Sequence, residues 1–541
     1  MRDFLPFLAY VAVFAYLPLL FVTAKTASAA KLRDLTFVRA LAKDYLRTLP
    51  VCALVSLPAL AAPGIVRVYA IALNTVFFLP LALELGHVRL FGTRVGLNTF
   101  YSLFVSNMRE TREFFAQNVG WSERLLVVAL GVLPPFALAR LPIGRWPSPV
   151  AQGIACAAAA AIALPFFLNF RKRPEKRKDG YILNPYVNLA YGYCQFKTQY
   201  RRLQEMIARH AAPPFGRIVS SMPAGERETY VIVIGESSNG HHQRYDGYPR
   251  GTNEFTDRLG ERLFRFRGVH SPFSQTIPAL EKTITFADAE HPEYVWTKGS
   301  VVDYFREAGF ETYWMSNQYA LDDTALTAMT AHADVNKCYN FSGMKRFEKA
   351  GLDGALLPDF GKFAAGGKAK KAIFVHLIGS HSAYVNRYPD GFRHFEGQVP
   401  GRNLPPQKAQ MLNSYDDSVR YTDWVVAEIV RSLEAVGGAS YLLYFSDHGE
   451  DIYDSREDKI MGHSQLANEP MTSVPFMFWL SPRLAEIRPD IASRAAKRRA
   501  DGLGPGVYEA PGYSLQDAIH TILDLSSLSN ADFDRARSIL P

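Results

Sequence analysis

Glu236, Thr276, Asp447 and His448 are the residues of this chain best suited to chemistry, and each has a recognisable setting. Glu236 directly follows the apolar run YVIVIG, and Asp447-His448 directly follows YLLYFS. His381 comes after AIFVHLIG in the same manner, and His463 stands in MGHS. Thr276 precedes Pro278 by two residues in SQTIPALEKT, and proline favours the first turn of a helix. Zinc or manganese accepts carboxylate oxygen, imidazole nitrogen and hydroxyl oxygen. Two carboxylates, one ring and one threonine therefore make a set of four donors. Coordination lowers the pKa of a hydroxyl and makes it a nucleophile near neutral pH. A helix N-terminus favours the negative charge that develops there. His381 and His463 suit the binding of phosphoryl oxygens or protonation of a leaving group. His376, inside the run 372–378, and Asn317, just after the run 312–315, are further candidate substrate contacts.

Taken singly, each residue has a plainer reading. A glutamate after a strand often starts a helix, Asp-His-Gly forms turns, and a threonine near a proline caps a helix. The adjacent His241 and His242 read equally well as solvated residues. The joint pattern is the informative part, because ligands of parallel α/β sheets bind beyond the carboxyl ends of strands. Three strand-like ends here deliver acidic residues or histidines.

The elements that must position these groups are legible as well. Runs at 230–234, 312–315, 372–378, 441–445 and 474–480 are rich in Val, Ile, Phe and Tyr. Helical patterns at 301–308, 414–436 and 514–523 alternate with them or follow them. This alternation predicts an α/β domain with a central, mostly parallel sheet and helices on both faces.

At 541 residues the chain exceeds one ordinary domain. Its hydrophobic content of 48% is concentrated in the first third. Residues 5–24 form a charge-free stretch long enough to span a bilayer as a helix. Further apolar runs at about 49–62, 65–85, 125–141 and 150–170 predict a bundle of five transmembrane helices. Between the third and fourth, a segment near 98–121 carries apolar residues at helical spacing among charges. It reads as an interfacial helix, with Asn107, Glu110 and Glu113 available to a polar lipid head. The expected division is a transmembrane domain at 1–170, a juxtamembrane linker and connecting helix at 171–228, and a catalytic domain at 229–541. Orientation is ambiguous from charge. RKRPEKRK at 171–178 and the Lys/Arg-rich loop at 25–47 both favour the cytoplasm, yet an odd span count with an inside N-terminus puts the catalytic part outside.

A net charge of +8 favours anionic partners such as acidic lipid or phosphorylated glycans. No RNA-recognition, zinc-finger or helix-turn-helix signature is present, which argues against nucleic acid. Of four cysteines, Cys52 and Cys156 fall in apolar runs. Cys194 and Cys338 are compatible with a disulfide or with two thiols.

Five stretches carry a resemblance to a known family: IGESSNGHHQRYDGYPRGTN, SQTIPALEKTITFA, HLIGSHSAYVNRYP, YDDSVRYTDW and FSDHGED with MGHS. They resemble the phosphoethanolamine transferases of Gram-negative bacteria, in the alkaline phosphatase and sulfatase superfamily. The resemblance covers roughly 229–525. It implies zinc, before manganese, at Glu236, Thr276, Asp447 and His448. It also implies Thr276 as the residue that becomes phosphoethanolamine-modified, and His381 and His463 beside the phosphate. The implied donor is phosphatidylethanolamine, and the implied acceptor is a lipopolysaccharide, through lipid A or a core sugar, or another envelope glycan. The implied location is the inner membrane with the catalytic domain in the periplasm, and a monomer is expected. The chain departs from lipid A-modifying members after the Asn-Gln pair. SNQYALDDTAL lacks their cysteine and lysine. A phosphoglycerol transferase of lipoteichoic-acid-synthase type and a non-catalytic membrane sensor or scaffold are the competing readings. Sulfatase chemistry is rejected, because SQTIPAL lacks the cysteine and arginine of a formylglycine motif.

Overall fold

The computed structural model describes residues 218–540 apart from 320–328, 331, 341–350, 458–461 and 464–466, and before 218 only scattered stretches of a few residues. The chain divides into two compact units, Met1–Arg201 and Arg202–Pro541. Among the described residues, no helix is long and apolar enough to cross a membrane. The five expected spans lie largely outside the described residues, and Asn107, Glu110 and Glu113 lie wholly outside them. Within the first unit, the buried Glu84 carboxylate accepts from Asn188 Nδ2 at 3.2 Å, and the same amide donates to the Val95 carbonyl at 2.6 Å.

Among the described residues of the second unit, ten strands form: β1 (Val219–Ser220), β2 (Glu228–Gly235), β3 (Leu263–His270), β4 (Glu311–Tyr319), β5 (Val335–Asn340), β6 (Lys370–His376), β7 (Ala439–Ser446), β8 (Phe476–Leu480), β9 (Val507–Ser514) and β10 (Leu528–Ser529). Eight of them make one sheet in the order β5-β4-β6-β2-β7-β8-β3-β9. All run the same way except β8, which is antiparallel to β7 and β3. The expected parallel α/β domain is therefore present. The run at 474–480 becomes the one reversed strand, and β3, β5 and β9 are strands that periodicity alone did not reveal. The expected helix at 514–523 splits between the end of β9 and a helix starting at Ala518.

Alternation along the strands separates two cores. Tyr230, Ile232 and Ile234 face one way with Tyr441, Leu443, Phe445, Ala372 and Phe374. Val231 and Val233 face the other with Leu442, Tyr444, Ile373 and Val375. Helices α1 (Thr276–Thr283), α2 (Val301–Glu307) and α5 (Ala518–Leu525) contribute to the first core. Helices α3 (Leu357–Ala365) and α4 (Pro406–Val436) contribute to the second. Truncating a fully enclosed side chain such as Ile232 to alanine costs about 2–5 kcal/mol.

Register then decides where the functional groups emerge. Ile234 of β2 pairs with Phe445 of β7 and with His376 of β6. Glu236 and Asp447, each two residues further on, leave the sheet at the same height. Ser316 of β4 pairs with His376, so the ends of four consecutive strands, β4-β6-β2-β7, open onto one edge.

Candidate metal centre

The chain turns sharply after Glu236, because Ser237 adopts a left-handed conformation with φ 55°. Side chains from neighbouring elements hold the turn. Ser237 N donates to Asp447 Oδ1 (3.2 Å), and Ser238 N donates to Ser446 Oγ (2.9 Å). Tyr415 of α4 donates its hydroxyl to the Ser237 carbonyl (2.8 Å) and accepts from Asn239 N (2.9 Å). Gly379, which follows β6, packs directly on Glu236. Its φ is +48°, and a Cβ there would lie 2.7 Å from Glu236 O and 2.8 Å from Glu236 N. Glycine is required at this position on both counts.

Three of the expected ligands form one buried cluster. Donor atoms of Glu236, Asp447 and His448 all lie within 4.8 Å of one another. His448 Nε2 is 3.3 Å from Glu236 Oε1 and 3.5 Å from Asp447 Oδ2. Thr276 is the first residue of α1. Its Oγ1 is 3.2 Å from Glu236 Oε2 and 3.5 Å from His448 Nε2. A cation held about 2.0–2.1 Å from tetrahedral donors separates them by about 3.3 Å, close to the separations of these four pairs.

The donor chemistry fits a divalent cation too. His448 Nδ1 donates to the Gly449 carbonyl (2.9 Å), which turns Nε2 toward the cluster. Asp447 Oδ1 accepts from Ser237 N and His448 N, while Oδ2 is buried without a hydrogen-bond partner. Burial, followed by the charge of Glu236, pushes the Asp447 carboxyl up to about 7. Burial alone would depress His448, but the charges of Asp447 and Glu236 outweigh it and raise the imidazole to about 10. Two enclosed carboxylates that repel each other are what a divalent cation relieves.

The remaining candidates fall into two groups. His463 and His381 border the cluster, with the His463 ring 4.8 Å from that of His448 and 6.1 Å from that of His381. Burial pushes His381 down to about 4, and its Nδ1 is enclosed without a partner. His376 and Asn317 are not part of the three-residue cluster. His376 lies in the sheet interior, 3% exposed and edge-on to Trp314. Asn317 is fully buried and donates from Nδ2 to the Gly351 carbonyl and to Asp353.

Sequence reasoning missed Gln318 and Glu450. Gln318 lies on the opposite face of β4 from Asn317, and its Nε2 reaches Glu236 Oε2 (2.9 Å). Glu450 accepts from His463 Nδ1 (2.8 Å) and from the Tyr384 hydroxyl (2.6 Å). Burial would raise this carboxyl, but His463 and Tyr384 hold it below the usual range. The pair His241-His242 divides. His241 is exposed against Glu469 (2.6 Å), whereas His242 is fully enclosed between Asp416 (2.8 Å) and Asp454 (3.2 Å). Cys194 and Cys338 are not joined; Cys338 Sγ donates to the Gln318 carbonyl at 3.4 Å.

A mostly parallel sheet with a buried carboxylate-histidine cluster and a threonine at a helix N-terminus defines the class. The chain belongs to the sulfatase family, whose profile matches residues 228–528. Among curated proteins it is similar to phosphoethanolamine transferase EptC of Escherichia coli (strain K12), with 27% identity over 90% of this chain and 84% of that one. It is similar also to phosphoethanolamine transferase CptA of Salmonella typhimurium, with 28% identity over 89% and 84%. The C-terminal periplasmic domain of the Escherichia coli EptC, solved in complex with Zn, matches with TM-score 0.55 and 29% identity. That match covers 61% of this chain and 90% of that one. The integral membrane protein lipooligosaccharide phosphoethanolamine transferase A of Neisseria meningitidis matches over 98% of both chains, with TM-score 0.67. At 18% identity that likeness is one of fold.

Proposed function

We propose that the protein is a zinc-dependent phosphoethanolamine transferase that moves phosphoethanolamine from phosphatidylethanolamine to a lipopolysaccharide or related envelope glycan. The carrying observation is the Thr276 hydroxyl, 3.2 Å from Glu236 and 3.5 Å from His448 at the first turn of α1. The names of the curated relatives support the group transferred, and the Zn complex of the EptC domain supports the metal.

Glu236, Thr276, Asp447 and His448 would hold the zinc, which when bound lowers the threonine hydroxyl's pKa and offsets negative charge on the phosphoryl group. Thr276 Oγ1 attacks the donor phosphorus, and the phosphorus–oxygen bond to diacylglycerol breaks. Glu450 and Tyr384 fix His463 so that it gives a proton to the departing alkoxide. His381, neutral through burial, donates a hydrogen bond to a phosphoryl oxygen. In the second half His463 takes the proton of the acceptor hydroxyl. That oxygen attacks phosphorus and releases Thr276.

The donor reading gains support from the surface. Among described residues of the second unit, the large apolar side chains left exposed are Val219, Phe273 and Val385. Phe273 lies three residues before Thr276, and Val385 lies four after His381. Apolar side chains beside the nucleophile suit a lipid substrate. The apolar runs of the first 170 residues would anchor the enzyme as a monomer in the inner membrane, with residues 229–541 in the periplasm. Reporter fusions after Phe170 test that placement, and cytoplasmic activity of the reporter would reject it. Intact-mass measurement after incubation with phosphatidylethanolamine tests the chemistry. A single phosphoethanolamine adduct on Thr276 is expected, and turnover without any adduct would refute the covalent route.

A further inference from the structure

Two adjacent residues at the end of β4 reach Glu236 by separate paths. The first path is direct. Gln318 Nε2 donates to Glu236 Oε2 (2.9 Å) and to the Leu377 carbonyl (2.8 Å), so the amide spans β2 and β6. Ser237 Oγ donates to the other carboxylate oxygen (2.8 Å). The second path runs through Asn317, on the opposite face of the strand. Its Nδ2 donates to Asp353 Oδ1 (2.8 Å) and to the Gly351 carbonyl (2.7 Å). The Asp353 carboxylate, 1% exposed, accepts from Ile378 N and Gly379 N, both at 2.9 Å. Gly379 abuts the Glu236 backbone, and Ser380 N donates to the Glu236 carbonyl (2.9 Å). One path ends on the carboxylate and the other on the main chain of the same residue.

We infer that Gln318, with Asn317 and Asp353 behind it, is a positioning brace that holds Glu236 in one orientation for the metal. This rests on the zinc reading above. A glutamate side chain has three rotatable bonds, and an untethered carboxylate can turn away from a cation or grip it with both oxygens. The Gln318 amide reduces that freedom. It is a donor at the atom that meets Glu236, so it accepts no metal and competes for none. Asp353 carries no reacting group. It organises the two backbone amides that set how closely the strand-end loop of β6 packs on β2.

Outer contacts of this kind tune metal affinity by about 10–100-fold. The test measures zinc affinity of the purified full chain in detergent by competition with a chromophoric chelator. The visible spectrum of the cobalt-substituted protein and the melting temperature of the metal-depleted protein are recorded alongside. Gln318→Met removes the donor and keeps the length. It is expected to weaken zinc binding by about 10–100-fold, to alter the cobalt spectrum and to leave the metal-depleted melting temperature unchanged. Asp353→Asn is expected to act in the same direction to a smaller extent, because an amide can still accept at one position. Unchanged zinc affinity and cobalt spectrum in Gln318→Met would overturn the brace alone. So would a weakened affinity matched by a lower melting temperature of the metal-depleted protein, since that marks a general structural role. A wild-type chain that takes up no zinc would overturn the brace and the zinc reading together.

Discussion

The two sides of the cleft are built differently. On one side, Glu236, Asp447 and His448 follow directly from the paired strands β2 and β7, and every element of the turn after Glu236 is tied by hydrogen bonds. On the other, His381 and His463 stand on loops, and His463 is held through a side-chain contact to Glu450. Strand ends share the rigidity of the sheet, whose central residues are fully enclosed. Donors placed there keep the narrow spacing that a small cation demands. Groups on loops can follow a substrate whose phosphorus changes partners. In the proposed function the rigid side prepares the nucleophile and the adaptable side handles protons and phosphoryl oxygens.

The sharpest break comes at the junction of the two. Thr276→Ala should lower transfer by at least about 10³-fold, since the residual rate would rely on binding and charge alone. The fold should persist, which circular dichroism and an unchanged melting temperature would verify. Wild-type-like turnover would dismiss Thr276 as nucleophile. Asp447→Asn attacks the rigid side only. It should reduce zinc affinity by more than about 100-fold, beyond the loss typical of outer contacts, and transfer should fall with it. Metal content by mass spectrometry would check this, and full zinc occupancy would contradict it.

His463→Ala attacks the adaptable side. Loss of a general acid lowers transfer by about 10²–10⁴-fold, and zinc binding should be retained. A variant that lost zinc equally would erase the distinction between the sides. Glu450→Gln should give a smaller loss of the same kind.

The smallest expected effect lies behind the cleft. Burial would lower the His242 imidazole, but Asp454 and Asp416 more than compensate and raise it from 6.5 to about 9. Arg250 and Arg402 donate to the same two carboxylates. A folded-state pKa above the unfolded value gives stability that is complete below about pH 6.5 and is lost as pH rises through 9. The shift corresponds to about 3 kcal/mol. The wild-type melting temperature should therefore fall between pH 6.5 and 9, and the fall should be smaller in His242→Gln. Parallel pH profiles would remove His242 as the source.

Much of the site was legible because acidic residues and histidines follow several strand-like runs together, where ligands of parallel sheets bind. Glu236 follows YVIVIG, Asp447-His448 follows YLLYFS, and Thr276 precedes a helix-starting proline. Other residues were not legible, for identifiable reasons. Asn317 and Gln318 are neighbours with similar chemistry, and only the phase of β4 decides which one meets Glu236. Glu450 lies in the same DHGE stretch as two candidate ligands, but its part depends on His463, thirteen residues away. The sequence left His242 equally open to a solvated reading, yet it is enclosed by carboxylates from α4 and from Asp454, which are 174 and 212 residues distant in the chain.

By itself, then, the sequence determined a parallel α/β domain, through runs whose period and composition reflect local burial, and the donor types a cation would need. The tertiary structure alone decided the reversed strand β8, the strand order, and which of two adjacent amides serves Glu236. It also placed His242 in the interior. Local patterns record whether a side chain is buried, because burial acts on each residue where it stands. They do not record its partner, because register and strand order are set by contacts between residues hundreds of positions apart.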